Sequence, residues 1–370
     1  MKKRILFFIP DLRYGGAEKV LVNLLNNLSR NKYELSLLTL FDEGVNKQYL
    51  KKDIHYKYIF KRVFRGNTYL LKIFTPTFLY KLYVKKHYDI VVAYLEGIPS
   101  RVFSGCADNS IKKISWIHTE MTNPQKFMGP YRSFAEGIKC YQKYDAIVGV
   151  SQTVVESFKR GTGIHEKLYV KYNTVETEQI RAKACESVDD VIFEKDVINL
   201  CSVGRLIKEK GYERLLRLHK KLINDGILFH LYILGRGEYR TRLEKYIANN
   251  NLSHSVTLLG FKENPYKYVR SADLFVCSSY KEGFSTAVTE ALIVGTPVIT
   301  TLCSGMEEML DCGKYGVIVE NNEAALYEGL KKLLTDKELL AAYKAKANQR
   351  GKQFETKATI GEVEKLFDEI

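Results

Sequence analysis

The sequence predicts an α/β protein with two doubly wound domains, each a parallel sheet that helices cover on both faces. Short β-rich runs alternate with longer segments of helical periodicity along most of the chain, and this alternation is typical of parallel sheets. A length of 370 residues exceeds one ordinary core and favours two domains. The pattern also pauses once, over the polar and acidic residues 173–195, before it restarts.

Apolar periodicity places the elements of both halves. In the first half we predict a strand at 5–9, a helix at 17–28 and strands at 34–40, 90–94, 113–117, 146–150 and 168–172. In the second half we predict strands at 198–203, 229–234, 256–259, 274–277, 298–301 and 317–319, with helices at about 323–334 and 336–350 and an amphipathic tail at 356–370.

The pause in the pattern sets the expected domain boundary. We expect a first domain over residues 1–175, a second over 176–355, and a final helix over 356–370 that packs back on the first domain. Ligands of doubly wound sheets bind at the carboxyl ends of the strands, where loops and helix N-termini meet. The expected binding site is therefore a cleft between the two domains at those strand ends.

Composition excludes several classes of protein. No run reaches the roughly 18 uninterrupted apolar residues that a spanning helix needs. The first apolar run ends at Pro10 and Asp11 without a small-residue cleavage site, so we expect a cytoplasmic protein. The seven cysteines include no Cys-x-x-Cys pair and support neither a disulfide framework nor a zinc site. The net charge of +14 predicts an anionic partner: nucleic acid, acidic lipid or a phosphorylated substrate.

The first candidate motif is the loop at residues 11–18, between the first predicted strand and helix. Gly15 and Gly16 let the backbone approach a ligand closely, and the following helix offers free N–H groups at its start. That combination suits a phosphate. The alternative is an ordinary strand-to-helix turn, because paired glycines are common at turns.

Two cations form the second candidate motif. Arg205 comes just after the predicted strand at 198–203, and Lys210 follows five residues later. Cations at the carboxyl edge of a sheet can neutralise a diphosphate. The alternative is that both are solvated surface charges, which is where most Arg and Lys residues lie.

The third motif, residues 281–290, is the most specific. Gly283 permits a tight turn, Ser285 is a candidate N-cap, and Gly295 and Pro297 mark the helix end. Glu282 then lies in the loop at the sheet edge, with the backbone N–H groups of 284–286 facing the same space.

A second carboxylate follows in the same motif. Glu290 lies about 1.5 turns into the predicted helix, roughly 7 Å along its axis from Ser285. Glu282 and Glu290 can thus reach two parts of one extended ligand. The alternative makes Glu282 a loop charge and Glu290 a capping or salt-bridging residue.

Taken in order, these motifs resemble retaining glycosyltransferases of glycosyltransferase family 4, which have the GT-B fold. The resemblance covers nearly the whole chain, and Gly260-Phe261 and Asn173 also match family landmarks. It implies two Rossmann-like domains that face a central cleft. The first is implied to bind the acceptor and the second the nucleotide sugar.

The resemblance implies a role for each matching residue. Arg205 and Lys210 bind the donor diphosphate and stabilise it as it leaves. Glu282 contacts the transferred sugar, Glu290 accepts hydrogen bonds from the nucleotide ribose, and His118 lies near the reacting sugar. The implied catalytic set is Glu282, His118, Arg205 and Lys210; the implied further donor contacts are Gly16, Gly260, Phe261, Gly283, Phe284, Ser285 and Thr286; Gly15, Gly16 and His118 are implied on the acceptor side.

The resemblance also implies the reaction. A hexose-type sugar moves from a nucleotide-diphosphate donor, expected to be UDP-linked, to a glycan or lipid-linked acceptor in cell-surface polysaccharide or glycolipid synthesis. No Asp-x-Asp pair occurs, which agrees with family members that need no metal. We expect no resident cofactor. Glu282 is predicted to position and stabilise rather than to form a covalent intermediate.

Three alternative functions share some of these features. An epimerase acting on nucleotide sugars shares this architecture and would convert the donor without an acceptor. A non-catalytic partner of an active transferase would have these sequence motifs but would not itself catalyse sugar transfer. An RNA-binding protein would suit the charge, but no RRM-like run, KH loop or zinc knuckle is present, so we predict no nucleic-acid partner.

Residues 51–88 form a basic aromatic segment with ten Lys and Arg side chains and Asp53 as its only acid. Nine Tyr and Phe residues, from Tyr56 to Tyr83, are interspersed among these cations along the sequence. This mixture suits the headgroup region of an anionic membrane, and it predicts a peripheral location on the inner face of the cell membrane. The alternative is a helix pair with a solvated basic face and its aromatics in the core.

Overall fold

The computed structural model describes residues 2–13, 15–193 and 196–370. It divides into two compact units, one formed by 1–175 with 356–370 and the other by 176–355. Positions 1 and 14 in the first unit and 194–195 in the second lie outside the described residues. Each unit is an α/β structure with a parallel sheet, which confirms the predicted fold class.

The first unit alternates strands and helices as predicted. Its elements are β1 (Lys3–Ile9), α1 (Gly16–Asn27), β2 (Tyr33–Phe41), β3 (His55–Phe60), α2 (Asn67–Ile73), α3 (Pro76–Tyr83), β4 (Ile90–Ala93), α4 (Ile98–Phe103), β5 (Lys112–Ile117), α5 (Pro124–Phe127), α6 (Phe134–Tyr141), β6 (Ala146–Gly149), α7 (Gln152–Thr162) and β7 (Leu168–Val170). The sheet order of its described strands is β3-β2-β1-β4-β5-β6-β7.

The second unit repeats this rhythm. Its elements are α8 (Thr177–Ala184), β8 (Ile198–Val203), α9 (Tyr212–Asn224), β9 (Phe229–Leu234), α10 (Arg240–Asn249), β10 (Val256–Gly260), α11 (Tyr266–Ser271), β11 (Leu274–Cys277), α12 (Thr286–Ile293), β12 (Val298–Thr301), α13 (Met306–Leu310), β13 (Val317–Val319), α14 (Glu323–Thr335) and α15 (Lys337–Gly351). Its described strands run in the order β10-β9-β8-β11-β12-β13. The chain then returns to the first unit as α16 (Thr356–Glu369).

The central strands are buried because helices cover both faces of each sheet. Every residue of β4, β6, β9, β11 and β12 is buried, as expected of parallel strands that read as continuous apolar runs. The expected strands therefore form with boundaries within about two residues of the predictions. Sequence analysis did not place β3, and it did not place α8 within the polar stretch at 173–195.

Helix α16 completes the core of the first unit. Phe367 is fully buried, with its ring edge-on to Phe7 at 6.3 Å and to Tyr33 at 5.8 Å between centroids. Its backbone carbonyl accepts a hydrogen bond from Nζ of Lys3 at 2.7 Å. One turn earlier, Glu364 accepts from the backbone N–H of Ser29 at 2.9 Å. Apolar burial and these polar contacts together attach the helix to β1 and β2.

Replacing Phe367 by alanine should therefore destabilise the first unit. A fully buried Phe-to-Ala change removes apolar contacts and leaves a cavity, at a cost of about 3–5 kcal/mol. Urea unfolding measures this change, and Lys365→Ala on the exposed face of the same helix is the control. Equal unfolding midpoints for the two variants would contradict the packing role of α16.

Candidate active site

Lys210 and Glu282 form an ion pair at the carboxyl edge of the second sheet. Lys210 ends a 3-10 turn, Lys208–Lys210, that follows β8, and Glu282 lies between β11 and α12. Because β8 and β11 are hydrogen-bonded neighbours, their following loops meet. Nζ of Lys210 donates to Oε1 of Glu282 at 2.6 Å, and the side chains are only 21% and 11% exposed.

Electrostatics keep the Lys210 ammonium protonated. Burial alone would lower the pKa of Lys210, but the charge of the Glu282 carboxylate and its hydrogen bond to the ammonium outweigh it, so the pKa is raised above its usual value. The nearby Arg205 guanidinium acts in the opposite direction. A half-buried, charged ammonium with several N–H donors is therefore held ready for a further anion.

Hydroxyl groups of the loop after β11 hold both members of the pair. Oγ of Ser279 donates to Oε1 of Glu282 at 2.5 Å, and Oγ of Ser278 donates to the backbone carbonyl of Lys210 at 3.0 Å. The ion pair lines a cavity at this edge of the sheet. Other side chains around the cavity are Ser202, Tyr212, Ser279 and Ser285.

Helix α12 begins and ends where the sequence predicts. Ser285 is its N-cap, and Oγ accepts the backbone N–H of Val288 at 3.4 Å. The helix stops before Gly295, whose φ of +79° lies in the left-handed region that favours glycine. Ser285 lines the same cavity as Glu282, and Glu290 is buried in the second turn. Its contact with a ribose stays a prediction, as do the donor contacts of Gly283, Phe284 and Thr286.

Other predicted donor residues lie at the ends of β8 and β10. Arg205 follows β8 and is exposed. Gly260 ends β10, and Phe261 after it is 46% exposed. The Phe261 ring packs under the Arg236 guanidinium, 4.3 Å from its centroid. Arg205 and Gly260 thus share the carboxyl edge of one sheet, as predicted, and their ligand contacts remain predictions.

The first unit places Gly15, Gly16 and His118 at the carboxyl edge of its own sheet. Gly15 is the N-cap of α1 and Gly16 its first residue, so the loop after β1 opens a helix as predicted. Position 14 of this loop lies outside the described residues. His118 follows β5 directly.

His118 is a neutral, buried imidazole. Burial lowers its pKa to about 3, partly offset by a hydrogen bond to the backbone of Tyr94. Nε2 is buried and has no hydrogen-bond partner among the residues that the structure describes. A neutral ring that donates from one nitrogen to a carbonyl keeps the other as an acceptor. Nε2 can therefore accept a hydrogen bond from a ligand hydroxyl.

Glu96 is a neighbour of His118 that sequence analysis missed. It follows β4, and its carboxylate accepts the backbone N–H of His118 at 3.0 Å and the hydroxyl of Thr119. The sequence signal for Glu96 was its position just after the apolar run that forms β4. This strand pairs with β5, which His118 follows. Ser279 and the buried Arg214 were missed in the second unit for a similar reason, because their partners are distant in sequence.

Comparison with known proteins assigns the chain to a protein family. The profile for "Glycosyl transferases group 1" matches residues 187–350, and that for "Glycosyltransferase Family 4" matches residues 14–179. An N-acetylgalactosamine-N,N'-diacetylbacillosaminyl-diphospho-undecaprenol 4-alpha-N-acetylgalactosaminyltransferase of Campylobacter jejuni is 30% identical over 95% of this chain and 96% of its own length. The chain belongs to the group 1 glycosyltransferases. This membership confirms the resemblance to this glycosyltransferase family and favours transfer over epimerisation.

Solved structures show the same fold for this glycosyltransferase. Anabaena HepE in complex with UDP superposes with a TM-score of 0.79 at 17% identity over the whole of both chains. Sucrose-phosphate synthase of Thermosynechococcus elongatus gives 0.78 at 16% identity over 99% of this chain and 98% of its own. These matches confirm the GT-B architecture. Across the described residues of the glycosyltransferase, no helix is both long and apolar enough to cross a membrane.

The depressed pKa of His118 predicts a stability loss in mild acid. Its pKa is about 3 in the folded protein and about 6.5 when unfolded, so the unfolded chain binds the extra proton between these values. Stability from this group is complete above pH 6.5 and falls as the pH drops. Between pH 7.5 and 5.5 the loss is about 1.4 kcal/mol.

Urea unfolding of wild type and His118→Gln at both pH values measures this loss. Between the two pH values, the free energy of unfolding should fall by about 1.4 kcal/mol less in His118→Gln than in wild type. His165→Gln, at an exposed position, should behave as wild type. An equal pH dependence in wild type and His118→Gln would show that the imidazole is not held neutral.

Proposed function

We propose that this chain is a retaining glycosyltransferase that moves a hexose-type sugar from a UDP-linked donor to a lipid-linked or glycan acceptor. The observation that carries the proposal is the Lys210–Glu282 pair, which lines a cavity at the carboxyl edge of the second sheet. A cation for a diphosphate and a carboxylate for a sugar stand 2.6 Å apart there. Family membership supplies the reaction class.

Donor binding in the second unit rests on charge. Lys210 is held protonated by its surroundings, and Arg205 follows the same strand, β8, as an exposed cation. Together they match two phosphate groups. HepE was solved with UDP and with UDP-glucose, which supports a UDP-linked donor for a chain of the same fold.

In the proposed step the bond between the anomeric carbon and the β-phosphate oxygen breaks, and the electron pair leaves with the nucleotide diphosphate. An acceptor hydroxyl attacks the anomeric carbon from the side of the leaving group, and its proton passes to the departing phosphate. Lys210 and Arg205 stabilise the negative charge on that phosphate. Protein cations carry out this stabilisation in our proposal, so the reaction is metal-independent.

Glu282 is the group that stabilises the sugar as positive charge develops on it. Its Oε1 is already held by Lys210 and Ser279, an arrangement that suits a fixed electrostatic role better than nucleophilic attack. His118 contributes the buried acceptor Nε2 in the first unit. A sugar or acceptor hydroxyl would satisfy that nitrogen without any change in its charge.

The acceptor assignment follows the relative from Campylobacter jejuni. Its name records an α-linked N-acetylgalactosamine transferred to a saccharide on diphospho-undecaprenol, and the alignment covers nearly all of both chains. We therefore assign the first unit an acceptor that is linked to a lipid diphosphate. Cell-surface polysaccharide or glycolipid assembly is the setting that fits this acceptor.

Replacing Lys210 by methionine tests the proposed site. Loss of one preorganised donor to the leaving group should lower kcat about 10²–10³-fold, measured as UDP release from UDP-hexoses in the presence of an undecaprenyl-diphosphate saccharide. Lys208→Met, in the same 3-10 turn but exposed, should keep wild-type turnover. The product should have the anomeric configuration of the donor by NMR.

Three results would count against the proposal. Wild-type turnover in Lys210→Met would remove the cation from the mechanism. An inverted product would exclude retention. Failure of the wild-type protein to turn over any UDP-, GDP- or ADP-sugar would favour the non-catalytic partner.

We also propose that the basic aromatic segment, residues 51–88, contacts an anionic membrane surface. Several of its apolar side chains are exposed although others, such as Leu71 and Leu79, are buried: Ile73 is 68% exposed and Phe78 is 49% exposed. The Phe74 and Phe78 rings stack with 5.0 Å between centroids. Exposed apolar groups also include Tyr58, Val63, Tyr69 and Leu82.

Charge supports a lipid partner for this segment. Nearly all of its ten cations are exposed, and its single acid, Asp53, is already paired with Arg30 at 2.5 Å. Basic side chains near an anionic bilayer contribute about 1 kcal/mol each, while the apolar groups suit the interface. The alternative of a helix pair with its aromatics in the core does not fit the exposed Tyr69, Phe74 and Phe78.

Vesicle co-sedimentation tests the membrane surface. Wild type should pellet with phosphatidylglycerol vesicles but not with phosphatidylcholine vesicles, and added salt should weaken binding because it screens the cations. Phe78→Asp should reduce binding, whereas Tyr172→Asp, at another exposed aromatic, should not. Equal binding to both vesicle types, or to neither, would contradict the proposal.

A further inference from the structure

Arg214 is a fully buried cation beneath the candidate donor site. Its exposure is 0%, although it lies in a helix rich in surface charge, and it occupies the buried face of α9 with Leu215 and Leu218. In the part of the chain that the structure describes, its hydrogen-bond acceptors are all neutral oxygens. A buried charge without a carboxylate partner is costly and needs good hydrogen bonds.

The guanidinium binds the loop that follows β11. Nε donates to the backbone carbonyl of Ser278 at 2.8 Å, and Nη2 donates to that of Ser279 at 2.6 Å. Cζ of the guanidinium also lies over the ring of Tyr280, 3.9 Å from its centroid. Three consecutive loop residues are thus held by one side chain.

The same guanidinium reaches the ends of the next two strands. Nη1 donates to Oδ1 of Asn321, just after β13, at 2.8 Å, and Nη2 donates to Oγ1 of Thr301, at the end of β12, at 3.2 Å. Arg214 therefore links the carboxyl ends of three adjacent strands. The rigid, planar fork of an arginine suits this geometry, and a lysine cannot reproduce it.

The loop held by Arg214 in turn holds the proposed catalytic pair. Ser279 donates to Glu282 at 2.5 Å, and Ser278 donates to the backbone carbonyl of Lys210 at 3.0 Å. One serine therefore links the guanidinium to each member of the pair: Ser278 to Lys210, and Ser279 to Glu282. A displacement of residues 278–280 would change the geometry of Lys210 and Glu282 together.

We propose that Arg214 is a positioning residue that fixes the loop at 278–280 and thereby sets the geometry of the Lys210–Glu282 pair for sugar transfer. The inference rests on the proposed function, because it assigns Arg214 to that same site. It goes beyond that function by adding a residue that need not contact the donor. A purely structural arginine would change protein stability but leave the turnover of folded molecules as in wild type.

Arg214→Lys keeps a positive charge and removes the fork, and Arg217→Lys is the matched control one turn later. Arg217 is 44% exposed and pairs with Glu323 at the surface. Hydrogen–deuterium exchange of a peptide spanning 278–285 should be faster in Arg214→Lys and unchanged in Arg217→Lys. Turnover per UDP-binding molecule should fall roughly 10- to 100-fold in Arg214→Lys, with a smaller change in KM for the donor.

A double-mutant cycle separates positioning from stability. If Arg214 acts through the loop, Arg214→Lys and Ser279→Ala should be non-additive in kcat. Additive losses, or wild-type exchange and turnover in Arg214→Lys, would overturn the proposal. Should Arg214→Lys fail to fold, Thr301→Val removes one partner and keeps the arginine, and normal exchange with normal turnover there would overturn it equally.

The exchange readout keeps this inference separate from the proposed function. A wild-type protein without transferase activity would contradict the proposed function, while faster exchange in Arg214→Lys would still show that Arg214 fixes the loop. Normal exchange in an active Arg214→Lys enzyme would contradict only the positioning role.

Discussion

The constraint on which this structure depends is the burial of two parallel sheets on both faces. Strands such as β9 and β11 are buried along their whole length, so charged side chains cannot lie in their interior. Charged groups that serve a ligand are therefore expected at the edges, where strands end and helices begin. Lys210 and Glu282 in one unit, and Glu96 and His118 in the other, lie at such edges.

Within that constraint the two candidate sites use opposite electrostatics. In the second unit burial is balanced by an ion pair, so Lys210 stays charged. In the first unit the effect of burial on the pKa of His118 exceeds that of its hydrogen bond to the Tyr94 backbone, so His118 stays neutral. A permanent cation suits an anion such as a diphosphate, and a neutral acceptor suits a hydroxyl. Burial thus gives the two strand edges a charge and a neutral acceptor that suit different ligands.

Sequence analysis predicted what depends on local patterns. Continuous apolar runs identified β8 and β12, and the Ser285 cap and Gly295 bounded α12. It missed β3 because this edge strand is only half-buried and carries exposed Lys57 and Tyr58, so no apolar run marks it.

The contacts that assemble the site are long-range and could not be read from spacing. Lys210 and Glu282 are 72 residues apart, and Arg214 and Ser278 are 64 apart. Each was visible as a residue type, but only strand order in the sheet brings them together. Arg214 left one sequence signal, an arginine on the apolar face of α9, and that signal alone does not name its partners.

Helix α16 has a consequence for synthesis of the protein. The first unit contains residues that precede the second unit in the sequence and residues that follow it. Phe367, which follows it, packs on Phe7, which precedes it. A ribosome must therefore translate all of residues 176–355 before the segment that closes the first core emerges, a delay of roughly 10–40 s at about 5–20 residues per second. The core of the first unit is therefore completed only after the second unit has been synthesised, and until then the faces of Phe7 and Tyr33 lack the Phe367 ring that packs on them.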